Sequence, residues 1–501
     1  MKLNPTREAN LALLASCLWP FLNLVNYNKS QLEVEYVLVL LSVPVLLFVC
    51  GIGALRLLGR FSRRDETPRF TFALAIAVAL FFNYHAIYDV LAALALPRIN
   101  YAYLTLSTLL LLAALRFFNP AVIRVSLVFF VVAGAIPAFE AMKYRSGGTA
   151  SSAQMNARPL SPLSPETRKR NVYHVILDSY PRDDQLRKLF GFDNSRTLDA
   201  LRNRGFYVAA QALANYPSTF LSVSSGLVGE YLLGDGDEFQ DMLQFADLMR
   251  GNNPMIRRLK LSGYKYVHAQ GHLYTICVGY EDWCIDPYQQ LLSSRDLLDV
   301  IVQTTPIRRF WRPIVRGSAV PLSYLQARLA AILEAEKGPL AVFAHILPPH
   351  SPWTVTADCR PRDDPALAWS ESTKQHFLDS LTCVNTQLTQ FVGFLDSADP
   401  EAIVVIQSDH GTNSLLAADS AVKRWTAEQF EERFAILMAV RVPEQCRKWL
   451  YPSMSPVDVP ALVFACLEGK QPVYRPYQSF LVEVPTDKEP GRVKRYRRAA
   501  R

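Results

Sequence analysis

Ala402-Ile403-Val404-Val405-Ile406-Gln407 runs directly into Ser408-Asp409-His410-Gly411. The first six residues are few, β-branched and almost uninterrupted in apolar character, which predicts a strand buried on both faces. An Asp-His pair at the carboxyl end of such a strand stands where open α/β sheets place their ligand sites, and both side chains bind metals. Upstream and downstream the pattern repeats. Val172–Leu177, Phe206–Ala209, Tyr264–Ala269, Leu340–Ile346 and Phe434–Val440 predict strands. Ser195–Arg204, Thr219–Leu227, Pro254–Ser262, Ser323–Glu336 and Ser370–Leu395 predict the intervening helices. Strand-helix alternation of this kind predicts an α/β domain with a mostly parallel sheet, and no internal repeat interrupts it.

The N-terminal part reads differently. Long apolar runs lie near Asn10–Asn26, Tyr36–Leu58, Phe70–Leu94, Tyr101–Phe117 and Pro120–Ala141. Each approaches the ~20 residues that a bilayer core requires, which predicts a bundle of about five transmembrane helices. The first run lacks a small-residue cleavage site and more spans follow it, so it is not a simple signal peptide. Arg56, Arg60, Arg63, Arg64 and Arg69 follow the second run, and Arg116 and Arg124 separate the last two. The positive-inside rule then puts the N-terminus in the cytoplasm, and an odd number of spans puts the α/β domain on the other side. His85 and Asp89 are ionisable residues inside the third run, and read as a helix-end contact rather than a transport path.

The domain boundaries expected are a transmembrane domain at 1–145, a Ser/Pro/Gly-rich linker at 146–170, a catalytic domain at 171–485 and a basic tail at 486–501. Net charge is +8 over 501 residues. The tail, with Lys494, Arg495, Arg497 and Arg498, reads as solvated and disordered, or as attracted to anionic lipid. Nucleic acid is disfavoured as a partner, because the tail is expected outside the cytoplasm. Cys277, Cys284, Cys359, Cys383, Cys446 and Cys466 fall in the soluble part, an even number that suggests disulfides in an oxidising compartment. Pairing neighbours in sequence is the simplest connectivity. C-x-x-C spacing is absent, so neither a zinc ribbon nor a thioredoxin site is indicated.

Four segments fit one site. Leu177-Asp178 ends the first predicted strand in a carboxylate, able to ligate a divalent cation at the mouth of the sheet. Pro217-Ser218-Thr219 opens a predicted helix, whose N-terminus offers N–H groups and partial positive charge to an attacked phosphate. Thr219, in preference to Ser218, is the expected nucleophile, activated by a metal beside its hydroxyl. His345 and His350 flank a Pro-rich loop, with roles in binding phosphate oxygens, protonating a leaving group or ligating a second metal. Ser408-Asp409-His410-Gly411 is the fourth.

In this order the residues resemble the alkaline phosphatase/sulfatase superfamily. With the apolar runs included, the chain resembles its membrane phosphoethanolamine transferases and lipoteichoic acid synthases. The resemblance covers about Asn171 to Val440. It implies an alkaline phosphatase-like domain in an integral protein of a bacterial inner membrane. Asp178, Thr219, Asp409 and His410 would hold a divalent cation (Zn, Mn or Ca). Thr219 would carry a phospho-group between a phospholipid donor and an envelope glycan or glycolipid, and His345 and His350 would bind substrate or a second metal. The chain departs from the pattern twice. Asp178 stands where those families carry Glu, one methylene longer. No Cys-x-Pro-x-Arg or Ser-x-Pro-x-Arg motif is present, so no formylglycine nucleophile forms and sulfate ester hydrolysis is disfavoured. The alternatives are a metal-dependent phosphoester hydrolase and, in another class, a non-catalytic lipid-sensing membrane protein of the same fold.

Overall fold

A computed structural model of the chain describes residues 4–27, 34–58, 66–94, 98–146, 160–239, 242–271, 275, 277–286, 301–302, 304–309, 321–366, 369–415, 425–483 and 490–496. Of the linker expected at 146–170, residues 147–159 lie outside these residues, as do 497–501 of the basic tail. Two compact units are present: Met1–Gly148 with Tyr288–Ile314, and Thr149–Pro287 with Val315–Arg501.

The first unit is helical, with α1 Pro5–Tyr27, α2 Val34–Leu58, α3 Thr67–Phe82, α4 Tyr84–Ala93, α5 Ile99–Arg116 and α6 Pro120–Ser146. Helix α1 packs against α2, α3 and α6. Outward faces carry bare apolar side chains such as Leu38, Leu46, Leu104, Val125 and Phe139. Such surface is costly in water and ordinary in lipid. Among the described residues four helices, not five, are long and apolar enough to cross a membrane: Pro5–Asn26, Val37–Leu57, Ile99–Arg116 and Pro120–Met142. The third apolar run is broken at Asn83. Its backbone N–H and its side-chain amide both donate to Ala79 O, at 3.2 and 2.8 Å, which closes α3 and starts a new short helix. An odd count of spans therefore no longer argues for the side on which the second unit lies. The side chains of His85 and Asp89 lie outside the described residues.

The second unit is built on a sheet of β1 Val172–Leu177, β2 Tyr207–Val208, β4 Lys265–Ala269, β5 Trp283–Ile285, β6 Leu340–Ile346, β9 Ile403–Gln407 and β10 Met438–Arg441, where β3 is Glu238–Phe239, β7 Trp353–Val355 and β8 Pro361–Ala366. The order is β2-β10-β9-β1-β6-β4-β5. β9, β1, β6, β4 and β5 run parallel, and β10 and β2 add an antiparallel edge. Every side chain of β1, β6 and β9 is buried. Alternate residues feed two cores: Tyr173, Val175 and Leu177 face one, Val172 and Ile176 the other. Burial on both faces is why the apolar runs are continuous rather than alternating.

Elements beyond the sequence expectation also form. Ala427–Phe434 is a helix, so the strand expected from Phe434 begins only at Met438. Thr426 caps that helix in a reciprocal box with Gln429. Gly491–Arg495 is strand β12, paired with β11 Phe480–Glu483 and with β3, where a disordered tail was expected. Cys277–Cys284, Cys359–Cys383 and Cys446–Cys466 are disulfide-bonded, each to its neighbour in sequence.

Candidate metal centre

β9, β1 and β6 lie side by side and parallel, so their carboxyl ends open at one edge of the sheet. The register sets Ile176 beside both His345 and Gln407. Asp178, His345 and the Ser408-Asp409-His410 turn therefore meet at one level from segments far apart in sequence. Ser408 Oγ accepts from Tyr180 N at 2.8 Å and donates to His410 O at 2.7 Å, fastening the turn after β9 to the turn after β1. Ser179 adopts φ 59°, in the left-handed region that L residues rarely enter. There its N–H donates to Asp409 Oδ1 at 3.1 Å. Backbone strain of this kind concentrates at functional sites.

The nucleophile candidate arrives on another element. Thr219 is the first residue of the helix Thr219–Val228, whose N-cap Ser218 makes no side-chain cap. Ser222 Oγ donates to Asp409 O at 2.6 Å and ties this helix to the end of β9. Thr219 Oγ1 lies 3.1 Å from His410 Nε2. The Ser218 hydroxyl instead faces Met242 Sδ.

Asp178, Asp409 and His410 are buried, and one ligand atom from each lies within 4.8 Å of the others. His410 Nε2 is 3.3 Å from Asp409 Oδ2 and 3.8 Å from Asp178 Oδ1. Ligand atoms around a tetrahedral zinc with ~2.0–2.1 Å bonds are spaced by roughly 3.3–3.4 Å. Protonation supports the same conclusion. His410 Nδ1 is 3.0 Å from Gly411 O. A carbonyl only accepts, so Nδ1 carries the proton and Nε2 turns a lone pair towards the two carboxylates. Burial, helped by the Arg433 charge, lowers the His410 pKa to about 4, so the ring is neutral near pH 7. Asp178 Oδ1 and Asp409 Oδ2 have no hydrogen-bond partner among the described residues. A neutral imidazole lone pair facing two buried, unpartnered carboxylate oxygens fits a divalent cation.

The histidines of the third segment divide. His345 is the sixth residue of β6 itself, buried, with Nε2 3.2 Å from Asp178 Oδ2. Burial pulls its pKa down, but the Asp178 carboxylate outweighs this and the net shift is upward. Burial would raise the Asp178 pKa, yet His350, His345 and His410 together hold it well below the usual carboxylate range. His350 lies in the turn after β6, partly exposed, its ring centroid 6.4 Å from that of His410. The structure thus brings Thr219, Asp178, Asp409 and His410 together, sets His345 behind Asp178 and leaves His350 at the margin.

Arg433 was not anticipated. It is the penultimate residue of the helix Ala427–Phe434, donating from Nε to Pro217 O and from a terminal nitrogen to Gly411 O, both at 2.9 Å. One guanidinium thereby joins the turn before Thr219 to the turn after His410. No spacing distinguishes it among the basic residues of the sequence. The neighbouring Glu432 is also buried and accepts from Thr412 Oγ1, Ser414 N, Ser414 Oγ and Leu415 N at 2.6–3.0 Å, fixing the chain beyond Gly411. A Cβ on Gly411 would come 1.9 Å from Glu432 O. Gly411→Ala is therefore expected to force His410 and the Ala427–Phe434 helix apart. Cation content and turnover should both fall, by about tenfold or more, with a loss of roughly 1–3 kcal/mol in stability. Metal analysis and thermal unfolding of the purified variant check this; an unchanged cation content would show that the turn has slack.

No family model and no curated protein matches the chain. Solved structures do. The zinc complex of the C-terminal periplasmic domain of EcEptC from Escherichia coli is 13% identical with a TM-score of 0.42, covering 66% of this chain and 96% of that one. The integral membrane protein lipooligosaccharide phosphoethanolamine transferase A (EptA) from Neisseria meningitidis is 14% identical with a TM-score of 0.43, covering 93% of this chain and 96% of that one. Likeness at this level transfers no activity to the chain.

Proposed function

We propose that this chain is a membrane-anchored, metal-dependent phosphotransferase. It moves a phospho-headgroup, of phosphoethanolamine or glycerol phosphate type, from a lipid donor to a surface glycan or glycolipid through a phosphothreonine on Thr219. The observation that carries the reading is the Thr219 hydroxyl at 3.1 Å from the unprotonated nitrogen of His410, beside two unpartnered carboxylate oxygens.

Asp178, Asp409 and His410, with Thr219 Oγ1, would hold the divalent cation. Bound there, the cation supplies charge neutralisation and lowers the pKa of the Thr219 hydroxyl. Thr219 Oγ1 gives its proton to solvent and attacks phosphorus, forming the Oγ1–P bond as the bond to the diacylglycerol oxygen breaks. The N-terminus of the Thr219–Val228 helix offers N–H groups to the phosphoryl oxygens. His350, partly exposed at the margin, is suited to protonating the departing oxygen. In the second step a sugar hydroxyl attacks the same phosphorus, its O–P bond forms, and Oγ1 leaves and recovers a proton. His345 holds Asp178 rather than reaching substrate. Four apolar helices on the same chain favour a donor and product that both stay near a bilayer. Three disulfides support an extracytoplasmic compartment for the second unit.

Mass spectrometry of surface glycolipids from cells with and without the gene tests the proposal. A glycolipid species carrying the added phospho-headgroup is expected only with the gene. Identical glycolipids, with headgroup released to water by the purified protein, would replace transfer with hydrolysis.

A further inference from the structure

A second cavity, of about 600 Å³, lies in the same unit and includes none of the metal-centre residues in its wall. Its wall includes Arg182, Gln211, Ser453, Gln478, Arg495 and Tyr496. Three segments nevertheless connect it to the centre. Arg182 is four residues after Asp178. Leu213, also in the wall, is six residues before Thr219. Phe430 and Glu431, again in the wall, are on the helix that carries Arg433.

We propose that this cavity binds a saccharide carrying an anionic group, an acceptor subsite if the phosphotransfer reading above holds. The chemistry of the wall carries the proposal. Amides, hydroxyls and guanidinium groups alternate in the wall with the rings of Phe430, Tyr477 and Tyr496, a mixture that suits both the hydroxyls and the C–H faces of a sugar. The ring of Tyr496 is stacked on Phe430 at 3.6 Å between centroids, and Phe430 on Phe434 at 4.1 Å. That stack fixes one aromatic group in the wall at little entropic cost to a ligand. Charge identifies the class further. Arg182 is already matched by Asp184 at 2.6 Å and Glu431 at 3.8 Å. Arg495 donates to the neutral Gln478 Oε1, and among the described residues no carboxylate pairs with its guanidinium. Arg495 is therefore the guanidinium of the wall without a carboxylate partner among the described residues, and a carboxylate or phosphate on the sugar would pair with it. Arg495 and Tyr496 come from the end of strand β12, so the pairing of that strand with β11 sets half the polar wall in place.

The test uses the full chain in nanodiscs and two probes, a uronic acid trisaccharide and a neutral trisaccharide, followed by saturation-transfer NMR and calorimetric titration. The uronate is expected to bind more tightly than the neutral sugar. Arg495→Ala should weaken the uronate by about tenfold and leave the neutral sugar little changed. Ser453→Trp, at an exposed position of the wall, should weaken both by filling the space. Cleavage of a small aryl phosphodiester, which needs only the Thr219 centre, should be unchanged in both variants. Uronate binding that is absent in the wild type, or equal in the wild type and both variants, would overturn the cavity assignment. Failure of the wild type to cleave the aryl ester would overturn the phosphotransfer reading while leaving the saccharide result interpretable.

Discussion

Thr219→Ala is expected to reduce turnover by about a thousandfold or more while leaving the protein folded, because it removes the atom that forms the covalent intermediate. The structural cost is small. Thr219 is a half-buried first residue of its helix, and its side-chain hydroxyl lies against His410 Nε2. Alanine suits a helix, so stability should change by no more than about 0.5 kcal/mol. Asp178, Asp409 and His410 remain, so most of the bound cation should remain as well. Thr219→Ser keeps the hydroxyl and should retain activity to within roughly tenfold, the loss reflecting a less constrained rotamer. In the wild type, rapid quenching with lipid donor should yield a Thr219 peptide heavier by one phospho-headgroup, absent from the alanine variant. Full activity in that variant would remove Thr219 from the chemistry and leave the metal centre without its proposed nucleophile.

How much of this was legible beforehand depended on whether a feature was local. The buried strands announced themselves because both faces are covered, leaving Ile403–Ile406 wholly apolar and Val172–Leu177 interrupted only by His174. Asp178 and Asp409 were found because each stands within two residues of the carboxyl end of such a strand. That they face one another was not readable; it follows from β9 and β1 being adjacent, a long-range pairing. Arg433 was invisible for the same reason, since its hydrogen bonds to Pro217 and Gly411 exist only once three segments have met. Asn83 shows the opposite failure. The apolar content of Phe70–Leu94 suggested one span, which divides at Asn83, where the side-chain amide shares Ala79 O with the backbone N–H. Strand β12 was missed because its Lys and Arg content reads as a solvated tail, whereas two buried residues, Gly491 and Val493, hold it in place.

Asp409→Asn is expected to separate the folding role of the metal centre from its chemical role. Asp409 is fully buried, and its Oδ1 accepts from Ser179 N at 3.1 Å and His410 N at 2.9 Å. Asparagine preserves that acceptor. Its amide nitrogen would take the place of Oδ2, which has no partner and lies 3.3 Å from the His410 lone pair. The replacement removes one of two like charges in a buried site and gains a hydrogen bond of about 1 kcal/mol. Loss of attraction to Arg433 opposes this. In excess chelator the variant should therefore be about as stable as the wild type, or slightly more so. Adding Zn or Mn should reverse the order. A cation held at a thousand times its dissociation constant stabilises the wild type by about 4 kcal/mol, and the variant, lacking one of the two charged ligands, should gain little. Turnover should fall by about a thousandfold or more, because the Thr219 hydroxyl keeps its ordinary pKa. The decisive readout is the cation-dependent change in melting temperature. An equal shift in both proteins would mean that the cation binds elsewhere, and the convergence of Asp178, Asp409 and His410 would then be a feature of the fold without a metal function.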